Sequence, residues 1–194
     1  SSDSDVYVSL ADSETKSIKG VYRYTLSVKN NRASIKKEDL RIEKPILATS
    51  IRKISLIGSK LHAEGAGIIQ YLPFDDYSTK YELVLNNNGN EFKFDYAKSK
   101  NISVMKKYTE RDGVEYSHGY MASPRYNGVD LKNLKEGTYD IMAKATKGEI
   151  ESLATNLYIT LPNKITTTRA GDSKYTLEIK DKKATLKKEL IGPP

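Results

Sequence analysis

Residues 157–189 read LYITLPNKITTTRAGDSKYTLEIKDKKATLKKE, and residues 6–38 read VYVSLADSETKSIKGVYRYTLSVKNNRASIKKE. The two stretches align without a gap at a constant offset of 151, with twelve identities in thirty-three positions. Self-similarity at a fixed period is the sequence signature of repeated structural units. Apolar and polar residues alternate in each stretch, as at Tyr175, Leu177 and Ile179, which is typical of strands with one buried face. The repeat therefore predicts the same strand–turn–strand conformation in both copies.

The repeat also predicts how the chain is divided into domains. An offset of 151 gives the length of one unit, so the chain holds one complete β-sandwich module, residues 45–194. Residues 1–44 are then the terminal strand block of a preceding unit, with the boundary at Glu43-Lys44-Pro45, because Pro interrupts regular pairing. Two alternatives remain: residues 1–40 are an edge piece of a single domain, or they cover a neighbouring chain. In every case the apolar residues of this block need a partner.

Further strand signals lie inside the complete unit. Tyr81, Leu83 and Leu85 alternate with Glu82 and Val84, and residues 86–89 read NNNG. Phe92, Phe94 and Tyr96 alternate with Lys93 and Asp95 on the return. Two such runs around an Asn-Gly turn predict an antiparallel hairpin. No segment shows a sustained apolar pattern at helical spacing. The chain is therefore predicted to be all-β, an antiparallel immunoglobulin-like β-sandwich that is part of a tandem repeat, with further strands at residues 51–57, 60–64, 138–143 and 157–161.

Composition excludes several classes of protein. The chain has no cysteine, which excludes disulfides, thiolate zinc sites and cysteine nucleophiles. Its longest apolar runs are only a few residues long, which predicts no membrane span. Thirty-two Lys and Arg against twenty-five Asp and Glu give a net charge of +7. That balance favours anionic partners such as nucleic acid, acidic lipid or a phosphate-rich polymer, unless it serves solubility alone.

The sequence shows no legible catalytic or metal site. His62 and His118 lie in different segments, and nothing in their spacing brings them together with a carboxylate. Asp75 and Asp76 lack the alternating oxygen ligands of a calcium loop. The chain has no nucleophile elbow, no phosphate-cradling glycine loop and no zinc-protease helix. We therefore expect no catalysis, no metal and no cofactor in this chain.

The strongest binding signal is a stretch in which tyrosines and cations interleave. Aromatic rings pack on the apolar faces of sugars or bases, while Lys and Arg hold anionic groups. The predicted ligand-binding residues are Lys106, Lys107, Arg111, Tyr116, His118, Tyr120, Arg125 and Tyr126. Four lysines near the end, Lys182, Lys183, Lys187 and Lys188, add positive charge. The alternative is that two or three of these tyrosines simply pack the edge of the sandwich, since Tyr is a preferred strand residue.

Two short motifs resemble a known family. Residues 60–65 read KLHAEG, and residues 129–141 read VDLKNLKEGTYDI. Both are similar to motifs of the accessory β-sandwich modules attached to wall teichoic acid glycosyltransferases of Gram-positive bacteria, over roughly residues 46–190. The resemblance implies a substrate-holding or oligomerising appendage without the transferase reaction, in a homo-oligomer such as a trimer. It also implies a cytoplasmic location near the inner membrane face, with the cell surface as the alternative.

Three function classes follow from these observations. The first is a noncatalytic module that assembles a teichoic acid glycosyltransferase or holds its anionic cell-wall polymer. The second is an immunoglobulin-like stalk or binding repeat of a bacterial surface adhesin, which the internal repeat favours equally. The third is a nucleic-acid binder that uses Tyr stacking and Lys grooves, and no recognisable nucleic-acid fold motif favours it. The first class is the predicted function.

Overall fold

The computed structural model describes residues 4–19, 21–42, 44–150 and 152–193. Gly20, which the repeat aligns with Gly171, and Glu43, at the predicted boundary, lie outside the described residues. Within the described ranges the chain forms fifteen β-strands, one α-helix and two short 3-10 turns. No helix among these residues is long and apolar enough to cross a membrane.

The first four strands form an antiparallel sheet of their own, which we call the N-terminal block. Its order is β1-β4-β3-β2. The strands are β1 (Ser4–Tyr7), β2 (Ser13–Lys19), β3 (Tyr22–Lys29) and β4 (Arg32–Asp39). A 3-10 turn at Leu40–Ile42 follows them.

The remaining strands form one strongly curved sheet, which we call the module. Its order is β10-β6-β9-β8-β7-β11-β15-β14-β13, with β5 paired to β6 and β12 paired to β11. The strands are β5 (Leu47–Ile57), β6 (Lys60–Ile69), β7 (Lys80–Asn87), β8 (Asn90–Ser99), β9 (Tyr120–Ala122), β10 (Val129–Asp130), β11 (Gly137–Thr146), β12 (Leu153–Asn156), β13 (Lys164–Ala170), β14 (Ser173–Lys180) and β15 (Lys183–Leu190). Every strand pair is antiparallel, so the predicted all-β antiparallel sandwich is confirmed. Its immunoglobulin-like character stays a prediction.

Tight turns explain why the hairpins form where the sequence predicts them. A two-residue hairpin turn of the favoured type needs positive φ at both central residues, which Asn, Asp and Gly adopt most readily. Asn88 and Gly89 have φ values of 49° and 90° between β7 and β8. Asp181 and Lys182 have φ values of 50° and 66° between β14 and β15. The predicted hairpin at residues 81–96 is confirmed.

The core lies between the two halves of the curved sheet. Ile51 and Leu61 from β5 and β6 are fully buried, as are Leu83 from β7 and Leu186 from β15. Buried tyrosines join this core, and each one needs a partner for its hydroxyl. The Tyr81 hydroxyl, for example, donates to the Gly67 carbonyl at 2.5 Å. Apolar burial and satisfied hydroxyls together hold the β5–β6 half against the β7–β11–β15 half.

The structure corrects one prediction by forming a helix, α1 (Ile102–Asp112), between β8 and β9. The Asn101 side chain accepts from the Val104 N–H at 3.1 Å, and Gly113, at φ 67°, ends the helix by donating to the Thr109 carbonyl at 2.7 Å. The helix is short and lies on the surface, and Met105 is its one buried apolar residue among those described. Its apolar pattern was therefore too weak to detect, although the Asn and Gly caps were visible in the sequence.

The strand predicted at residues 157–161 is also wrong in its bounds. β12 ends at Asn156, and Ile159 forms a single parallel bridge to Ile51. In this segment the Leu157 N–H donates to Ile141 of β11, whereas the Ile159 N–H donates to Lys182 in the turn between β14 and β15. The chain crosses between the two halves of the sheet here, so alternation persists without a regular ladder.

The predicted repeat of conformation is confirmed for residues 22–36 and 173–187. It is wrong for residues 6–10 and 157–161, because β1 pairs with β4 whereas residues 157–161 form no regular strand, although the Val8 and Ile159 N–H groups donate to equivalent carbonyls. β2, β3 and β4 begin and end 151 residues before β13, β14 and β15, and the registers correspond pair by pair, as Leu26 opposite Ile35 and Leu177 opposite Leu186. Individual contacts repeat as well. The side chain of Asp12 accepts from the Asn30 N–H at 2.9 Å, and the equivalent Asn163 side chain accepts from the equivalent Asp181 N–H at 3.0 Å.

Candidate functional site

The structure does not bring the eight predicted ligand-binding residues into one pocket. It distributes them over a helix, the core, and two loops. Three cations lie on α1, Tyr116 and Tyr120 are buried, His118 lies beside Tyr77, and Arg125 and Tyr126 lie on an exposed 3-10 turn. Whether any of them binds a ligand stays a prediction, and their positions show which ones are available.

The three cations of α1 are exposed but differ in how much of their charge is free. Lys106 lies 3.7 Å from the Glu110 carboxylate. Lys107 lies over the Tyr108 ring at 5.0 Å. Arg111 is held by the adjacent Asp112 in a two-pronged ion pair, with Nε and Nη2 at 2.8 and 2.9 Å from the two carboxylate oxygens. Lys106 and Lys107 are therefore the more available cations of this helix.

Tyr116 has a structural role. Its ring is fully buried, its hydroxyl donates to Asp112 at 2.9 Å, and it accepts from the Tyr71 N–H at 2.8 Å. Burial pulls the pKa of Asp112 upward, but the hydrogen bonds from Arg111 and Tyr116 outweigh it and leave that pKa below its usual value. Tyr116 thus ties the end of α1 to the loop after β6 and offers no ring face to a ligand in this conformation.

The most exposed tyrosine among the predicted ligand-binding residues lies at the turn Pro124–Tyr126. Arg125 and Tyr126 have φ values of 55° and 59°, two successive left-handed residues that are not glycine. Such backbone is unfavourable and persists only where the surroundings enforce it. The Ser123 hydroxyl accepts from the Gly128 N–H at 2.9 Å, which ties the two ends of the turn together. The turn holds the Tyr126 side chain 58% exposed.

A histidine and a carboxylate lie next to this turn, where the sequence reasoning expected none to meet. The His62 ring lies 6.0 Å from the Tyr126 ring, and His62 Nε2 lies 3.6 Å from the Glu64 carboxylate. The signal was present in the sequence, because residues two apart on a strand share a face. His118, by contrast, lies elsewhere, with its ring at 4.6 Å from that of Tyr77 and the Ser117 hydroxyl at 3.1 Å.

A β-bulge adds two cations to the same face. The register between β5 and β6 shifts between Ile51 and Lys53, so Arg52 is the extra residue. Bulges re-aim side chains. Lys53 Nζ lies 3.3 Å from Glu64, and the positive charge of Arg52 lies near the buried Tyr120 hydroxyl. Burial chiefly raises the pKa of Tyr120, so its hydroxyl stays protonated.

The bulge has a matching glycine on the partner strand. A Cβ added to Gly65 would lie 2.1 Å from the Ser50 carbonyl oxygen and 2.7 Å from the Ile51 Cα. No side chain fits there, so glycine is required for the two strands to approach this closely. Gly65 is therefore a close-packing point opposite the bulge of β5.

We call the exposed part of this face the Tyr126 edge: Arg52, Lys53, His62, Arg125 and Tyr126. A second surface with the same chemistry lies at the start of β5, where a groove of about 470 Å³ is lined in part by Tyr158, Lys182 and Lys183. Tyr158 is 51% exposed. We call it the Tyr158 groove.

Lys188, which the sequence offered as a free cation, is buried instead. Its ammonium donates to the carbonyls of Leu131 and Lys132 at 3.3 and 2.7 Å, and burial lowers its pKa.

A serine, a histidine and a carboxylate lie next to one another behind the Tyr126 edge. Ser123 Oγ lies 2.5 Å from His62 Nδ1, and Glu64 lies near the opposite ring nitrogen. A nucleophilic serine must reach its substrate. Ser123 is fully buried, so this chain of polar groups positions the His62 ring. Among the described residues, no three His, Cys, Asp or Glu side chains lie together in a way that could hold a metal ion.

Comparisons with known proteins show likeness of fold. No family model matches the chain, and no curated protein matches it in sequence. The crystal structure of S. aureus TarS matches 91% of this chain with a TM-score of 0.50 and 10% sequence identity. The crystal structure of S. aureus TarS 217-571 matches 91% of this chain with a TM-score of 0.47 and 12% identity. This chain spans 29% of the first of those chains and 46% of the second.

Proposed function

We propose that this chain is a noncatalytic accessory module of a teichoic acid glycosyltransferase and that it holds the anionic cell-wall polymer. The observation that carries the proposal is the pairing of exposed tyrosines with cations at the Tyr126 edge and at the Tyr158 groove. Two further facts support it: the motif resemblance of residues 60–65 and 129–141, and the fold likeness to TarS, a teichoic acid glycosyltransferase. The location then follows that of the enzyme, on the cytoplasmic side of the membrane.

The chemistry of the Tyr126 edge fits a polymer of sugars or polyols joined by phosphates. The exposed Tyr126 ring offers an apolar face against which a sugar ring packs. Arg52 and Arg125 present planar guanidinium groups that hold phosphate through paired hydrogen bonds. Each exposed contact contributes little. A repeating polyanion makes many such contacts at once, and the contacts reinforce each other when the spacing matches.

The binding test is a titration of the chain with teichoic acid at two salt concentrations. Raising the salt from about 0.1 M to about 1 M shortens the Debye length from roughly 10 Å to roughly 3 Å. We expect measurable binding at low salt that falls steeply at high salt. Arg125→Ala and Tyr126→Ala weaken binding. Lys36→Ala, which removes an exposed cation from the N-terminal block, serves as the control for net charge and leaves binding nearly unchanged.

Undetectable binding at low salt rejects the polymer-holding role. Equal losses for Arg125→Ala and Lys36→Ala would mean that overall charge, and not the Tyr126 edge, attracts the polymer. Assembly of the enzyme, including a trimer, is then the better account, and light scattering at micromolar concentration measures it directly. A secretion signal and a wall anchor in the coding sequence would favour the surface-adhesin alternative.

A further inference from the structure

We propose that a preceding copy of the 151-residue unit, in the same polypeptide, packs against the apolar face of the N-terminal block and covers it. The occupant is the part of that unit that corresponds to β5–β12 of the module. The proposal concerns an interaction surface of the chain, and it stands independently of the polymer-holding role.

The first argument is a comparison of burial at equivalent positions of one chain. Leu26 is 43% exposed in the block, while its equivalent Leu177 is 3% exposed in the module. Ile35 is 48% exposed, while its equivalent Leu186 is fully buried. The strands, registers and turns at these positions are the same. The difference therefore lies in what covers the face, and not in the local structure.

The module shows what a cover consists of. The face of β14 that carries Leu177 is packed by β5, whose Ile54 and Leu56 line the same small cavity as Leu177. The Thr168 hydroxyl of β13 donates to the Gly58 carbonyl at the end of β5, which locks the two layers together at 2.7 Å. Among the described residues of the block no strand equivalent to β5 lies over Leu26 and Ile35, although Val28 and Ala33 at one end of the same face are buried. Exposed apolar residues grouped on one face of a sheet mark a contact surface.

The second argument comes from the edge of β4. In the module, β11 pairs with Thr185–Lys188 of β15. In the block, β1 pairs with Arg32–Ile35 of β4. β4 is the equivalent of β15, and β1 lies on the same edge of β4 that β11 occupies on β15. The residues of the module that correspond to the first half of β1, Ser4 and Asp5, do not pair with β15. Thr155 and Asn156 pair with β11 instead.

β1 therefore occupies only part of the β4 edge on which, by analogy with the module, a strand equivalent to β11 would pair. It spans four residues and leaves the Lys36–Lys37 end of the β4 edge without a ladder partner among the described strands. Unpaired strand edges are templates for another strand. A preceding unit supplies both missing parts at once: its β11 equivalent for the edge, and its β5 equivalent for the face. A second copy of this chain does not, because its own β5 and β11 are already occupied by β13–β15.

The absence of cysteine makes the proposal testable with a single thiol. Leu26→Cys places a thiol on the apolar face, and Lys36→Cys places a control thiol on the opposite face, where the equivalent Lys187 stays exposed in the module. Leu177→Cys gives the reaction rate of a covered site. Each variant is made in the 194-residue chain and in the natural polypeptide that begins one unit earlier, with any additional cysteines replaced by serine.

We expect Leu26→Cys to react with a maleimide about as fast as Lys36→Cys in the 194-residue chain. In the longer polypeptide we expect Leu26→Cys to react at no more than roughly a tenth of that rate, since a covered thiol reacts only after local opening. Hydrogen exchange of the β4 amides slows in parallel. Equal rates in the two polypeptides overturn the proposal, as does a coding sequence with no upstream unit. Protection in the 194-residue chain that grows with protein concentration also overturns it, and identifies a second copy as the occupant.

Discussion

Truncation of one leucine in each copy of the repeat gives a matched pair of stability measurements. Leu177→Ala and Leu26→Ala remove the same three carbons from equivalent strand positions. Transfer of three buried carbons from water contributes about 2.4 kcal/mol, at about 0.8 kcal/mol each. For Leu177, which is 3% exposed, nearly all of that is lost, and the cavity that remains raises the cost to about 3 kcal/mol. Leu26 is 43% exposed, so its truncation costs at most about 1.4 kcal/mol and leaves no enclosed cavity.

The assay is urea unfolding followed by far-ultraviolet circular dichroism and by tyrosine fluorescence, since the chain has fourteen Tyr and no Trp. With a urea dependence of about 2 kcal/mol/M, Leu177→Ala lowers the unfolding midpoint by roughly 1.5 M and Leu26→Ala by less than half as much. Leu186→Ala and Ile35→Ala repeat the test at a second pair of equivalent positions. Equal midpoint shifts for the two leucines would refute the reasoning, because both leucines would then be equally covered.

Four further outcomes test individual contacts. Gly65→Ala places a Cβ against the Ser50 carbonyl and destabilises the module by about 3 kcal/mol or more, which thermal unfolding measures and an unchanged Tm would contradict. Asn101→Ala removes the cap of α1 and costs about 1 kcal/mol, whereas Asn101→Asp restores the acceptor and most of the stability. Asp112 contributes stability above its unfolded pKa near 3.9 that is lost as the pH falls through its lower folded pKa. Asp112→Asn, compared at pH 7 and at about pH 3, therefore shows its larger effect at pH 7; an effect that does not change with pH would contradict this. Tyr116→Phe makes that acid transition begin at a higher pH, because one of the hydrogen bonds that lowers the Asp112 pKa is gone.

The sequence predicted the strands well where the local signal and the tertiary structure agree. Asn-Gly and Asp-Lys turns between alternating runs place β7–β8 and β14–β15, because turn geometry and a one-sided core favour the same register. The repeat succeeded for the same reason. The same pattern in two copies made the strand prediction stronger than either copy alone. The likeness extends to the Asp12 and Asn163 side chains, which accept hydrogen bonds from equivalent backbone N–H groups.

The candidate site was harder to predict because long-range packing decides which side chains are free. Tyr116 and Tyr126 look alike in the sequence, yet one is fully buried against Asp112 and the other lies on a left-handed turn. Lys187 and Lys188 are neighbours, and only the second is buried against a loop 56 residues away. No local pattern carries this information. The proximity of His62 and Glu64 was readable from strand alternation alone.

The most direct test of the polymer-holding role is to follow the backbone amides of the isotope-labelled chain by NMR while teichoic acid is added at low salt. We predict shift changes at Arg52, Arg125 and Tyr126 or along the Tyr158 groove, which disappear at high salt, and none on the Lys36 face of the N-terminal block. An absence of shift changes at low salt, or changes spread evenly over all exposed lysines, would contradict the account.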